Sequence, residues 1–135
     1  MRTIFFAHDQ QEAPDARKNY LEMAGYTVRL FKSQRELLAA FKETIPDLVL
    51  LDVLIEGRNG FETALELSQR YPERNFPIVL CSHVYRPRVF REEALRCGAQ
   101  DYLLLPLPLD EFLRRVNQAV AYFVPPMSQS DPAVA

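Results

Sequence analysis

The run 48-LVLLDV-53 is apolar at every position except Asp52. A strand with one wetted face alternates polar and apolar residues, whereas a strand without alternation is covered on both faces. A chain carrying such a strand must therefore supply covering elements to both sides of its sheet. The same character returns in 77-PIVLCS-82 and in 2-RTIFFA-7. Stretches of helical spacing lie between these runs. That combination confines the chain to parallel strands joined by crossover helices.

The elements alternate along the whole chain. The first strand, 2-RTIFFA-7, precedes a helix starting near Pro14, with Ala13, Ala16, Tyr20 and Ala24 on one face and Gly25 as its stop. A second strand, 26-YTVRLF-31, leads to the helix 33-SQRELLAAFKET-44. Ser33 and Glu36 stand at capping-box spacing, Leu37, Phe41 and Ile45 are the expected buried positions, and Pro46 ends the segment. After the third strand, Asn59 is placed to cap a helix with Phe61, Ala64, Leu65 and Ser68 inward. The fourth strand is 77-PIVLCS-82, and the helix after Pro87 turns Phe90, Ala94 and Cys97 inward before Gly98. The fifth strand is 101-DYLLL-105, and the last helix, from about Leu109 to Phe123, carries Leu109, Phe112, Val116, Val120 and Phe123 on one stripe. This is an α/β pattern of five β/α units, a single doubly wound five-stranded parallel sheet.

Length and composition agree with one domain. The chain has 135 residues, of which 48% are hydrophobic, enough for one core. The reading assigns residues 1–124 to the domain and 125–135, with the Pro- and Ser-rich 125-PPMSQSDPAVA-135, to a flexible tail or linker. The formal net charge of −2 leaves no footprint for nucleic acid. No run is long enough for a bilayer, and no leader pattern opens the chain. Cys81 and Cys97 lack metal-site spacing and read as small core residues of a cytoplasmic protein.

Chemistry in an open parallel sheet gathers beyond the carboxyl ends of its strands, where the strand order reverses. In the flavodoxin-like order 2-1-3-4-5 that point lies between the first and third strands. Asp9 follows the first strand, Asp52 ends the third, Ser82 ends the fourth and Leu105 ends the fifth.

At these residues the sequence resembles the response-regulator receiver domain of two-component signalling. The resemblance covers about residues 2–123 and is carried by 46-PDLVLLDVLIEGRNGFE-62, 77-PIVLCS-82 and 98-GAQDYLLLP-106 in combination. It implies that Asp52 is the phosphoacceptor, a carboxylate nucleophile toward the phosphohistidine of a partner kinase. It implies Mg²⁺ held by Asp9, Asp52 and the backbone carbonyl of Leu54. It also implies a switch made of Ser82, which bonds a phosphoryl oxygen, and Tyr102, which turns inward as the following loop moves.

The chain departs from the receiver pattern at two pocket positions. The acidic pair after the first strand is here 8-HD-9, and the lysine before the proline after the fifth strand is here Leu105. Glu56 stands where a proline is common. The charges offset one another: Asp9 and Asp52 beside a neutral His8 keep the pocket at about −2. A protonated His8 would oppose a metal, so Mg²⁺ binding is expected to be weak and to weaken further as pH falls. Loss of the lysine removes a charge-assisted hydrogen bond, on the order of 1.5–3 kcal/mol, so the phosphate-driven switch is expected to be impaired.

Each residue also has a structural reading. Asp52 and Asp9 could be ordinary strand-end carboxylates, Ser82 a loop hydroxyl, Tyr102 a half-buried strand tyrosine and His8 a packed histidine. Arginines 86, 88, 91, 96, 114 and 115 interleave with Glu92, Glu93, Asp110 and Glu111. They form either a solvated mixed-charge face or a docking surface. Arg88, Arg91, Leu104, Leu107 and Arg115 are the interface candidates there.

The expected function is an atypical, non-enzymatic receiver module in signal transduction, working through protein–protein contacts with phosphorylation at Asp52 weak or absent. The alternative is an Mg²⁺-dependent phosphoacceptor served by a histidine kinase. A flavodoxin-like small enzyme or cofactor binder is the third reading, opposed by the glycine-free loop 8-HDQQEAP-14. Expected partners are a sensor histidine kinase or other signalling protein and a second copy through the fourth helix, fifth strand and fifth helix. Neither nucleic acid nor membrane is expected.

Overall fold

The computed structural model describes residues 2–8, 16–55, 58–82 and 88–125. Five parallel strands form the sheet: β1 (Thr3–Ala7), β2 (Thr27–Phe31), β3 (Leu48–Asp52), β6 (Ile78–Ser82) and β7 (Asp101–Leu104). Their spatial order is β2-β1-β3-β6-β7, the 2-1-3-4-5 arrangement when sheet strands alone are counted. A short antiparallel pair, β4 (Leu54–Ile55) and β5 (Arg58–Asn59), follows Asp52. The helices are α1 (Ala16–Met23), α2 (Gln34–Ala40), α3 (Gly60–Arg70), α4 (Arg88–Arg96) and α5 (Leu109–Tyr122).

Period-two alternation along the strands creates two cores, one on each face of the sheet. Phe5, Ala7, Val49, Leu51, Ile78, Leu80 and Tyr102 point to one side with Leu37, Ala64, Leu67 and Ala94 of α2, α3 and α4. Ile4, Phe6, Leu48, Leu50, Val79, Cys81 and Leu103 point to the other side with Leu21 of α1 and Phe112 and Val116 of α5. Both faces of β3 are buried, which is why its sequence does not alternate. Cys81 and Cys97 are buried free thiols.

The helix faces differ from the expected ones in four places. On α1 the buried residue is Leu21, while Ala16 and Ala24 are exposed and Tyr20 is half-buried; Ala13 lies outside the described residues. The inward stripe therefore runs through Arg17 and Leu21, one turn apart. On α2, Ser33 caps Glu36 as expected, with the Glu36 N–H donating to Ser33 Oγ at 3.2 Å. The helix stops at Ala40, however. Phe41, Lys42 and Glu43 donate to carbonyls three residues back, at 3.0–3.3 Å, and this tighter winding turns Ile45 out to 51% exposure.

On α3 the inward stripe is Gly60, Thr63, Ala64 and Leu67. It starts one residue before Phe61 and leaves Leu65 exposed. On α5, Phe112 and Val116 are buried and Val120 packs against them, but Leu109, the first helical residue, lies at the exposed end. Phe90 falls outside the described side chains, whereas Ala94 and Cys97 are buried as expected. Gly98 ends α4 with φ +96°, the left-handed conformation that favours glycine.

Candidate functional site

The strand register places the candidate residues. Ala7 pairs with Leu51 and Asp52 with Cys81, so His8 and Asp52 each stand one step beyond the β1–β3 ladder. Ser82 pairs with Leu104, and the Leu105 N–H donates to the Ser82 carbonyl at 2.8 Å. His8, Asp52, Ser82 and Leu105 therefore meet at one end of the sheet. Asp9, Glu56 and Arg86 lie outside the described residues.

Two backbone features fix Asp52. The Leu54 N–H donates to Asp52 Oδ1 at 3.1 Å, an Asx-type turn that starts the β4–β5 hairpin. Gly60 opens α3 directly against the strand end. A Cβ there would lie 2.6 Å from the Asp52 carbonyl oxygen and 2.9 Å from Val53 Cα, so only glycine permits this approach. Asn59 caps α3, its Oδ1 accepting from the Glu62 N–H at 2.9 Å, as its position in the sequence indicated.

The pocket was expected to lack a cation, and it does not. Arg17 reaches in from α1, with Nη2 3.9 Å from Asp52 Oδ2; the two side chains are 13% and 15% exposed. Arg17 Nη1 donates to Cys81 Sγ at 3.3 Å, and its guanidinium carbon lies 4.9 Å from the Phe6 ring centroid. Unit charges at this spacing attract by about 4 kcal/mol at an effective dielectric constant of about 20. Desolvation of both groups offsets most of that gain. The separation exceeds hydrogen-bond length, so Arg17 is held as much by the thiol and the ring as by the carboxylate. The residue escaped the sequence reading because α1 was phased on its alanines. Phasing on Leu21 puts Arg17 one turn earlier on the same inward face.

The other candidates are packed. Leu105 is 4% exposed and belongs to the same core cluster as Phe6, Cys81 and Phe112, so an aliphatic group fills the position completely. The Leu105–Pro106 peptide is cis. His8 is buried, its N–H donating to the Phe31 carbonyl at 3.0 Å and its ring 4.5 Å from that of Phe6. Ser82 is buried at the strand end, and Tyr102 is buried with its ring stacked on Phe61 at 6.1 Å.

On the face of α4, β7 and α5, charges are paired within the chain. Arg115 grips Asp101 in a bidentate pair, Nε to Oδ2 at 2.7 Å and Nη2 to Oδ1 at 2.6 Å. This hydrogen bonding to Asp101 raises the Arg115 pKa above the usual arginine value. Arg114 pairs with Glu111 at 2.6 Å and Arg96 with Glu93 at 3.4 Å. Leu104 is exposed and Leu107 partly buried against the core. The Arg88 and Arg91 side chains lie outside the described ones.

Residues 4–117 match the family of the response regulator receiver domain. The chain belongs to this family. It is 34% identical over 98 residues to the transcriptional regulatory protein ZraR of Escherichia coli, covering 73% of this chain and 22% of that protein. It is 29% identical over 100 residues to the DNA-binding transcriptional regulator NtrC of Salmonella typhimurium, covering 74% of this chain and 21% of that protein. The chain thus spans about a fifth of the length of these curated relatives. A response regulator from Thermotoga maritima shares the fold at TM-score 0.77 and 26% identity, with 89% of this chain and 98% of that one covered. A CheY-like receiver domain from Methanospirillum hungatei gives TM-score 0.78 at 21% identity, with 90% and 94% covered.

Membership places the chain among signalling modules rather than among flavodoxin-like enzymes or cofactor binders. Receiver domains of response regulators interact with histidine kinases and other signalling proteins, and generally bind Mg²⁺ at the phosphorylation site. Asp9, the other carboxylate the sequence offers this ion, lies outside the described residues. Asp52 already faces a guanidinium on Oδ2 and an N–H on Oδ1. Among the described residues, no group of three His, Cys, Asp or Glu side chains could hold a metal. No described helix is long and apolar enough to cross a membrane.

Proposed function

We propose that this chain is an atypical receiver module that transmits signals mainly through protein–protein contacts, with phosphorylation of Asp52 weak or absent. One observation carries the reading: the cation beside Asp52 comes from Arg17 on α1, while the β7-end position holds Leu105, buried in the core. A lysine after β7 would lie on the path from the phosphoryl group to the loop after β6. Arg17 instead comes from α1, anchored to Phe6 and Cys81. A phosphoryl group on Asp52 would meet a cation carried by α1 rather than by the segment after β7.

Mg²⁺, when bound in a receiver, neutralises crowded phosphoryl oxygens; Asp9, Asp52 and the Leu54 carbonyl are the candidate ligands, and binding would be weak. The candidate contact surface is the α4–β7–α5 face. The exposed Leu104 and the partly buried Leu107 are its candidate apolar residues, and Arg115 is held by Asp101. A histidine kinase, another signalling protein or a second copy of the chain are the partners proposed for it. The cytoplasm is the proposed compartment, and residues 125–135 the proposed tail or linker.

A second reading, an Mg²⁺-dependent phosphoacceptor, is favoured by the partial exposure of Asp52 and by Ser82 standing at the end of β6. Incubation with a small phosphodonor and Mg²⁺ followed by intact-mass measurement separates the two. The proposed function expects no stoichiometric phosphoryl adduct. An adduct that forms fully and disappears in Asp52→Asn would establish the second reading instead.

A further inference from the structure

Arg17 occupies a position where an arginine side chain is costly. It projects from the inward face of α1 onto the sheet, and its side chain is mostly buried. A surface arginine would swing into water instead. Contacts on three strands hold it, among them the Phe6 ring on β1, Asp52 on β3 and the Cys81 thiol on β6. A positive charge fixed in this way is a built component of the site. It cannot step aside for an incoming ion without giving up the ring and the thiol as well.

We propose that Arg17 is the resident cation of the Asp52 site and excludes divalent metal from it. The proposal rests on the reading of Asp52 as a receiver site with weak or absent phosphorylation, and deepens it by naming the residue responsible. A hard dication on Asp52 needs carboxylate oxygen at about 2.0–2.6 Å. That places two positive centres on one carboxylate, about 5 Å apart. Even with water-like screening, a unit charge at that distance weakens dication binding about tenfold, and more where water is excluded. The guanidinium thus replaces the metal in neutralising Asp52. It does so permanently, because it belongs to the chain.

The test is Mg²⁺ titration by calorimetry, with Mn²⁺ binding by electron paramagnetic resonance as a parallel probe. The proteins are the wild-type chain, Arg17→Leu, Arg17→Gln, Arg17→Lys and the double variant Arg17→Leu/Asp52→Asn. Arg17→Leu is expected to bind both ions at least tenfold more tightly than wild type, about 1.4 kcal/mol. The gain should vanish in the double variant, and Arg17→Lys should stay near wild type. Arg17→Gln, which keeps a polar group near Cys81, carries the same expectation should Arg17→Leu fail to fold. Equal affinity in wild type and the neutral variants overturns the proposal, as does a gain that survives Asp52→Asn. Failure of the proposed function shows separately, as a stoichiometric phosphoryl adduct on the wild-type chain whatever the metal affinities.

Discussion

The guanidinium of Arg17, on the first helix, lies 3.9 Å from the carboxylate of Asp52, at the end of the third strand. Both groups are mostly buried, so their interaction should be measurable despite the long separation. A double-mutant cycle of Arg17→Ala and Asp52→Asn, followed by urea unfolding, is expected to give a coupling energy of about 0.5–1 kcal/mol. Additive effects would show that the two groups do not sense each other.

Gly60 sets the approach of α3 to the same strand end. In Gly60→Ala the new methyl group meets backbone on both sides, the Asp52 carbonyl and Val53 Cα. Neither can rotate away, so a loss of about 1–3 kcal/mol is expected. By contrast, a Cβ at Gly25 meets nothing within 4 Å, and Gly25→Ala suffers only from its φ of +103°. The denaturant midpoints should fall more for the first variant than for the second.

The Arg115–Asp101 pair is short, bidentate and partly buried. Asp101 also accepts the Tyr102 N–H at 2.8 Å, so the pair clamps α5 to β7 beside Tyr102. Arg115→Ala is expected to cost about 1.5–3 kcal/mol. Arg114→Ala, which removes an exposed pair within one helix, should cost far less. Equal losses would show that Arg115 is just another surface arginine.

Burial and the neighbouring Glu93 carboxylate push the Cys97 thiol up to about 11 from 9.0. The folded chain therefore holds this proton where the unfolded chain has released it. That contribution to stability is intact below about pH 9 and is lost as pH rises toward about 11. Urea midpoints of wild type and Cys97→Ala, compared at pH 8.5 and 10.5, should converge as pH rises. A constant difference would contradict the shifted thiol.

The sheet was legible because burial on two faces leaves a plain mark, as in 48-LVLLDV-53. The observed order and the two-sided core follow from that pattern. Helix phase was harder to read. On α2 the chain tightens after Ala40 and turns Ile45 outward, a local winding that no apolar spacing announces. On α3 a glycine leads the buried stripe, and a residue without a side chain gives no hydrophobic signal. Arg17 was missed for the opposite reason. Its charge marks it as surface, and only the sheet beneath it, with Phe6 and Cys81 in reach, makes burial of its head tolerable. Leu105 at the end of the fifth strand was plain in the sequence, but the cation near Asp52 lay on another element.

The central claim is that Asp52 no longer operates a phosphate-driven switch. Beryllofluoride with Mg²⁺ mimics the acyl phosphate, and the amide spectrum of ¹⁵N-labelled protein reports any response. The account predicts that the Ser82 and Tyr102 amides stay in place at saturating reagent. Saturable shifts at both residues, abolished by Asp52→Asn, would contradict it.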